Sequence, residues 1–376
     1  MKSQKFYTSW ILILLVFVIG FLVLLTNHTE IAIATPTNTS VLNTLVVEAE
    51  PILTIPPSAQ LSPVARSTPL DSIPNGKIAF ISMTDKEHGE PGIIVMDLRT
   101  LKSEKVYDLY LGNNPNLGPI WDISWSPDGT MLALSDGRNM VSINVNNGKK
   151  DNLTYSPANI GDISELHWSP ARDYIVYTER KYQDYGMTSD FVLFELQGSN
   201  SRKNTFTDGN ESHPTWSPTG DEIAFVYEDE ILNAVVPNNP EATEKLEQQQ
   251  YRNIYTMSRD GKEKRKIFEA SSRITSLAWS PKGNELVFTS EEKHCGSLYV
   301  VTIDGQKLRK LNTLGCSESP SWSPDGRYII YVGRIGQDSY RWDGKWQIYI
   351  MDSLSNEITQ LTNDSKWTPF VPVWSR

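Results

Sequence analysis

Two cysteines, Cys295 and Cys316, occur in 376 residues. That excludes a disulfide-framed miniature fold and a cysteine-rich zinc site. The chain contains no Gly-x-Ser-x-Gly elbow, no His-Glu-x-x-His pair, no Gly-x-x-x-x-Gly-Lys-Ser/Thr loop and no Cys-x-x-Cys pair. Serine-hydrolase, zincin, P-loop and thioredoxin-type chemistry therefore have no motif to rest on. A basic excess is also missing. The formal net charge is −10, and residues 1–76 hold only −1 of it. An acidic body argues against nucleic acid and against docking on anionic lipid, both of which reward basic patches. Long apolar runs are confined to one, at residues 10–25.

That run follows Lys2 and Lys5 and has no charge immediately after it. A positive flank on one side predicts an N-in orientation with the bulk of the chain outside the cytoplasm. With residues 6–9 included, it is long enough to span a bilayer as a single helix. Ala32-Ile33-Ala34 also fits a signal-peptidase site, so a retained anchor and cleavage after Ala34 both stand. The first reading gives a single-pass membrane protein and the second a secreted or periplasmic one. Residues 35–75 are rich in Pro, Ser and Thr and have no glycine, which predicts a disordered, extended spacer. The expected organisation is a cytoplasmic tip with anchor or signal over 1–34, a linker over 35–75 and a folded body over 76–376.

What the body has is repetition. Six Trp-Ser pairs close short apolar runs, at Trp125, Trp168, Trp216, Trp279, Trp322 and Trp374. Five continue into Pro and a turn, as in Trp125-Ser126-Pro127-Asp128-Gly129 and Trp322-Ser323-Pro324-Asp325-Gly326. The intervals of 43, 48, 63, 43 and 52 residues are those of propeller blades with one Trp each. Alternating runs such as Glu222-Ile223-Ala224-Phe225-Val226-Tyr227 and Ile348-Tyr349-Ile350-Met351-Asp352 supply the strands. A Trp at one position in every blade reads as core, each ring filling a wedge between blades and burying about 200 Å2. Residues 76–109 offer three strands without the Trp-bearing one. Val371-Pro372-Val373-Trp374-Ser375 offers that strand alone. The expectation is an all-β, six-bladed β-propeller whose split blade is completed by both termini, leaving no open seam.

Blade connectivity puts the tight Ser-Pro turns on one face and the longer loops on the other. Insertions at 180–189, 229–250 and 334–345, the last with Tyr340 and Trp342, all fall on the long-loop face. Irregular loops on a rigid scaffold are a place for a protein or peptide partner. Residues three to five before each Trp are expected to line the channel mouth: Trp121 and Asp122, Ser164 and Glu165, Glu211, Ser212 and His213, Glu318 and Ser319, and Phe370. Polar and acidic groups with aromatics there can hold a cation or a peptide. His167, directly before its Trp, reads as a core histidine. If Asp304-Gly305 forms a two-residue hairpin turn, residue 295 faces about residue 314, and Cys316 comes within bridging reach of Cys295.

The repeated Trp-Ser-Pro-Asp-Gly, the Ile-Ala-Phe type strand after it, and the Ile-Tyr-x-Met-Asp strand resemble the WD40-like (PD40) repeat of the TolB propeller family over residues 76–376. That resemblance implies a six-bladed, exported, binding propeller working in a cell-envelope complex. TolB carries a globular domain where this chain has its Pro-rich linker. The blades are also similar to the propellers of prolyl oligopeptidase-like enzymes, and the expectation is that the hydrolase half of those enzymes is missing here. The resulting expectation is a monomeric, extracytoplasmic binding scaffold with no catalytic residues, metal or cofactor, contacting the membrane through its N-terminal helix. The alternative is a metal-assisted hydrolase or lactonase built on Asp122, Glu165, Glu211, His213 and Glu318.

Overall fold

The computed structural model describes residues 75–82, 91–109, 122–135, 139–154, 162–183, 186–196, 201–203, 209–228, 252–292, 295–334, 346–363 and 369–375. The apolar segment and nearly all of the linker, Trp121, the 229–250 insertion, Tyr340 and Trp342 lie outside the described residues.

Six four-stranded antiparallel sheets form the blades. Blade 1 joins β1 (Lys77–Ser82), β2 (Gly92–Asp97) and β3 (Ser103–Asp108) to the last strand, β24 (Pro369–Trp374). Blade 2 holds β4 (Ile123–Trp125), β5 (Met131–Ser135), β6 (Met140–Asn144) and β7 (Lys150–Asn152). Blade 3 holds β8 (Asp162–Trp168), β9 (Tyr174–Gln183), β10 (Gly186–Glu195) and β11 (Ser201–Lys203). Blade 4 holds β12 (Asn210–Trp216), β13 (Glu222–Glu228), β14 (Arg252–Ser258) and β15 (Arg265–Phe268). Blade 5 holds β16 (Arg273–Trp279), β17 (Glu285–Glu292), β18 (Cys295–Thr302) and β19 (Leu308–Lys310). Blade 6 holds β20 (Cys316–Trp322), β21 (Tyr328–Arg334), β22 (Gln347–Asp352) and β23 (Ile358–Gln360). The split blade closes as the sequence predicts, with Ile78 opposite Trp374 and Ala79 opposite Val373.

The Trp-Ser-Pro unit builds its own turn. Ser126 Oγ donates to Asp128 Oδ1 at 2.6 Å and accepts the N–H of Met131 at 3.0 Å. Ser323 repeats this with Asp325 and Tyr328. The serine thereby ties the end of the innermost strand to the start of the second. The turn ends in a left-handed residue, Gly129 at φ 66° and Gly326 at φ 63°, where a side chain is unfavourable. Blade 3 keeps the device with Arg172 at φ 63° and Ser169 bonded to Asp173.

Each wedge between neighbouring blades holds one apolar cluster with one of the six tryptophans, as the repeat implies. Around the channel the polar junctions alternate. The backbone N–H of Trp168, Trp279 and Trp374 donates to the hydroxyl of Ser124, Thr215 and Ser321 in the preceding blade. These hydroxyls stand directly before the Trp of blades 2, 4 and 6. His167, Ala278 and Val373 hold that position in blades 3, 5 and 1. At two of the other junctions the indole N–H bridges instead, from Trp125 to Val373 O and from Trp216 to His167 O.

Two local expectations need correction. Residues 180–189 are not an irregular insertion. The described residues 180–183 and 186–189 continue β9 and β10 as a long hairpin, Arg180 opposite Ser189 and Gln183 opposite Gly186, in the same unbroken register as the rest of the pair. The Asp304-Gly305 turn is longer than two residues: Thr302 N bonds Lys307 O around Gly305 at φ 73°. The register is nevertheless the expected one, since Tyr299 pairs with Lys310 and Val301 with Leu308. Cys295 and Cys316 form a disulfide with Cα atoms 4.9 Å apart. It joins the third strand of blade 5 to the innermost strand of blade 6.

Candidate functional site at the channel mouth

The innermost strands share a distortion that builds the site. Three residues before the Trp, Glu165, His213, Ser319 and Val371 sit in left-handed backbone at φ 53°, 52°, 51° and 44°. The strand ladder slips there in each case. A bulge inserts one extra residue and re-aims its side chain. All four of these residues line one cavity of about 340 Å3.

Of the residues singled out from sequence, Asp122, Glu165, His213, Glu318, Ser319 and Phe370 are brought together on its walls. Glu211 is not among them. It is 1% exposed, and its carboxylate accepts the N–H of Phe191 from blade 3 at 3.4 Å. The bulge between Ser212 and Thr215 delivers His213 to the channel, while Glu211, paired with Tyr227 ahead of it, is buried. His167 is also corrected. It is half-buried and lines both this cavity and a second of about 300 Å3, walled by five of the six Trp side chains nearer the Ser-Pro turns.

Sequence reading missed Arg180. Its guanidinium pairs with Glu165 Oε1. Glu165 Oε2 accepts from Thr178 Oγ1 at 2.9 Å and from the backbone N–H of His213 at 2.7 Å. His213 Nδ1 lies 3.5 Å from Glu165 Oε1. The usable signal was period two along β9, which puts Thr178 and Arg180 on one face. Burial pushes the Glu165 pKa up. The charges of His213 and Arg180 and the two hydrogen bonds outweigh it and hold the carboxyl below the usual glutamate range.

The other two carboxylates have no such neighbours among the described residues, where Asp122 accepts the N–H of Ile123, at 2.8 Å, and no other. Burial, followed by the Glu165 charge, lifts it well above the usual range. Burial and the charge of Glu291 push Glu318 up to about 6. The cavity is therefore polarised. Blades 2 to 4 give a charged wall. Blades 5, 6 and 1 give a mostly apolar wall of Leu277, Pro320, Phe370 and Pro372 with the hydroxyls of Ser276, Ser319 and Ser321, broken by the Glu318 carboxylate of blade 6. Among the described residues, no group of three or more His, Cys, Asp or Glu side chains is arranged to hold a metal ion.

Comparison with known proteins agrees with the architecture. Residues 234–341 match the TolB beta propeller domain, PD40. Over 67 residues, 17% of this chain, the sequence is 37% identical to the "Uncharacterized peptidase YuxL" of Bacillus subtilis (strain 168). The match spans only 10% of the length of that relative. Putative TolB from Agrobacterium tumefaciens is similar at a TM-score of 0.53 and 18% identity, over 77% of this chain and 89% of that one. TolB from Acinetobacter baumannii is similar at a TM-score of 0.58 and 15% identity, over 80% and 66%. At these identities the structural likeness speaks for fold. The repeat, the six sheets and the matched segment together show a six-bladed β-propeller that carries a PD40 domain match over residues 234–341 and is similar in fold to TolB propellers.

Proposed function

We propose that the protein is a non-catalytic binding propeller, displayed outside the cytoplasm, that engages a protein or peptide partner across its long-loop face and channel mouth. The observation that carries this reading is the state of Glu165. Its carboxylate is engaged by Arg180, Thr178 and His213 and kept ionised. It stiffens the mouth instead of standing ready as a general acid or base. The cavity beside it has one charged wall and one mostly apolar wall that carries a single carboxylate, Glu318, which suits recognition of an amphipathic group. The Cys295–Cys316 bridge fits an oxidising compartment.

The test is site-specific photo-crosslinking in native envelopes from positions 340 and 370, with Asn284 on the turn face as control. Support requires one identified partner captured from the first two positions and absent from the third. That partner, once purified, must also bind the isolated propeller protein. Equal capture from all three positions, or none from any, overturns the reading. The metal-assisted hydrolase alternative loses Glu211 from its ligand set. A stoichiometric ion in purified protein, lost in His213→Ala, would revive it.

A further inference from the structure

Glu318, Phe370 and Asp122 come from blades 6, 1 and 2, which are consecutive around the ring. Glu318 and Phe370 each stand four residues before their Trp, and Asp122 stands three before its own. An aromatic side chain on one strand is therefore flanked, on the two neighbouring innermost strands, by carboxylates, and all three line the same cavity. Among the described residues, the Glu318 carboxylate makes no hydrogen bond or ion pair, and the Asp122 carboxylate makes only the one to Ile123. The guanidinium that lines this cavity, Arg180, is held by Glu165 on blade 3. Pro320, Val371 and Pro372 complete an apolar border around Phe370.

Asp122 and Glu318 are half-buried, and a carboxylate partly withdrawn from water with no described cation bonded to it gains from meeting a cation. An aromatic face attracts a cation and offers nothing comparable to a neutral or anionic isostere. We infer that this sector of the mouth is a subsite for an organic cation, an ammonium or guanidinium group carried on an apolar stem, with Phe370 as its wall and Glu318 and Asp122 as its anions. The inference deepens the binding reading above and rests on it, since it assigns the chemistry of the group that a partner inserts.

The experiment is calorimetric titration of the full-length chain with benzamidine, set against its neutral analogue benzamide and its anionic analogue benzoate. Benzamidine is expected to bind saturably, and the two analogues are not. Glu318→Gln and Asp122→Asn are each expected to weaken benzamidine about tenfold, the loss of one charge-assisted contact. Phe370→Leu is expected to weaken it several-fold, and Arg172→Gln on the turn face to leave it unchanged. Thermal midpoints are recorded for every variant, so that a fold defect is not mistaken for a lost contact. Benzamide binding as tightly as benzamidine, benzamidine affinity unmoved by both carboxylate variants, or no benzamidine binding to the unaltered chain each overturns the inference. Failure of benzamidine with crosslinking from 340 and 370 intact removes the subsite and leaves the binding reading. Failure of crosslinking with benzamidine bound does the reverse.

Discussion

The Cys295–Cys316 bridge gives the most quantitative test of the structure. It closes a loop with a sequence separation of 21 residues. In the chain-entropy relation, a loop of that length removes about 11 cal/mol/K from the unfolded state, or ~3 kcal/mol at 25 °C. Cys316 is 4% exposed and belongs to the apolar cluster between blades 6 and 1, against which Cys295 packs. Two thiols left in the native state keep most of that packing, so reduction should express chiefly the loop term. Urea unfolding of oxidised and reduced protein should differ by ~3 kcal/mol. A propeller body of this size should lose roughly 5 °C in thermal midpoint. The change should also be local. Amide exchange at Ser317 and Glu318 should quicken on reduction while β5 and β6 keep their protection. Coincident unfolding curves for the two forms would refute the argument, as would two titratable thiols in the unreduced, denatured chain.

Three further outcomes follow from the side-chain geometry. Arg180→Met leaves the nearly buried Glu165 with His213 but without its guanidinium partner and should cost about 3 kcal/mol in urea unfolding, with Glu165→Gln added to it restoring part of that loss in a double-mutant cycle. Gly296→Ala places a Cβ 2.5 Å from Ser317 O and 3.0 Å from Glu318 Cγ, so it should destabilise by about 1–3 kcal/mol and shift the Glu318 resonances in a carboxyl NMR spectrum. Asp128, held at about 2 chiefly by the Ser126 hydroxyl, has a depressed folded-state pKa, so its contribution is complete above pH ~4 and is lost as pH falls toward 2; Asp128→Asn should flatten that part of the acid-unfolding curve.

Much of the architecture was legible because it is repeated. One Trp per unit fixes six wedges, and the turn chemistry of Ser-Pro-Asp-Gly fixes where each innermost strand ends. Register followed as well: pairing counted outward from residues 304 and 305 brought Cys295 and Cys316 together although the turn is longer than two residues. The site was less legible, because it depends on departures from the repeat. Counting three to five residues back from each Trp cannot foresee a bulge, so it sent both Glu211 and His213 to the mouth, and of these two His213 reaches it. Arg180 was hidden for another reason. Its strand runs past the usual blade length, and a polar extension of a strand looks like a loop. His167 occupies a position where blades 2, 4 and 6 carry a hydroxyl that binds the next blade, and a single repeat gives no hint of that alternation.

The shared blade has a consequence for how the chain is made. Ser375 N donates to Lys77 O, and 298 residues separate these partners. As synthesis runs from the N-terminus, β1 to β3 emerge first, and the inner edge of β1 stays unpaired until β24 follows five blades later. An apolar strand with an open edge is a template for pairing with another chain. The last seven described residues therefore act as a latch as well as a strand. Until they arrive, the ring is an open arc whose safest course is to remain escorted.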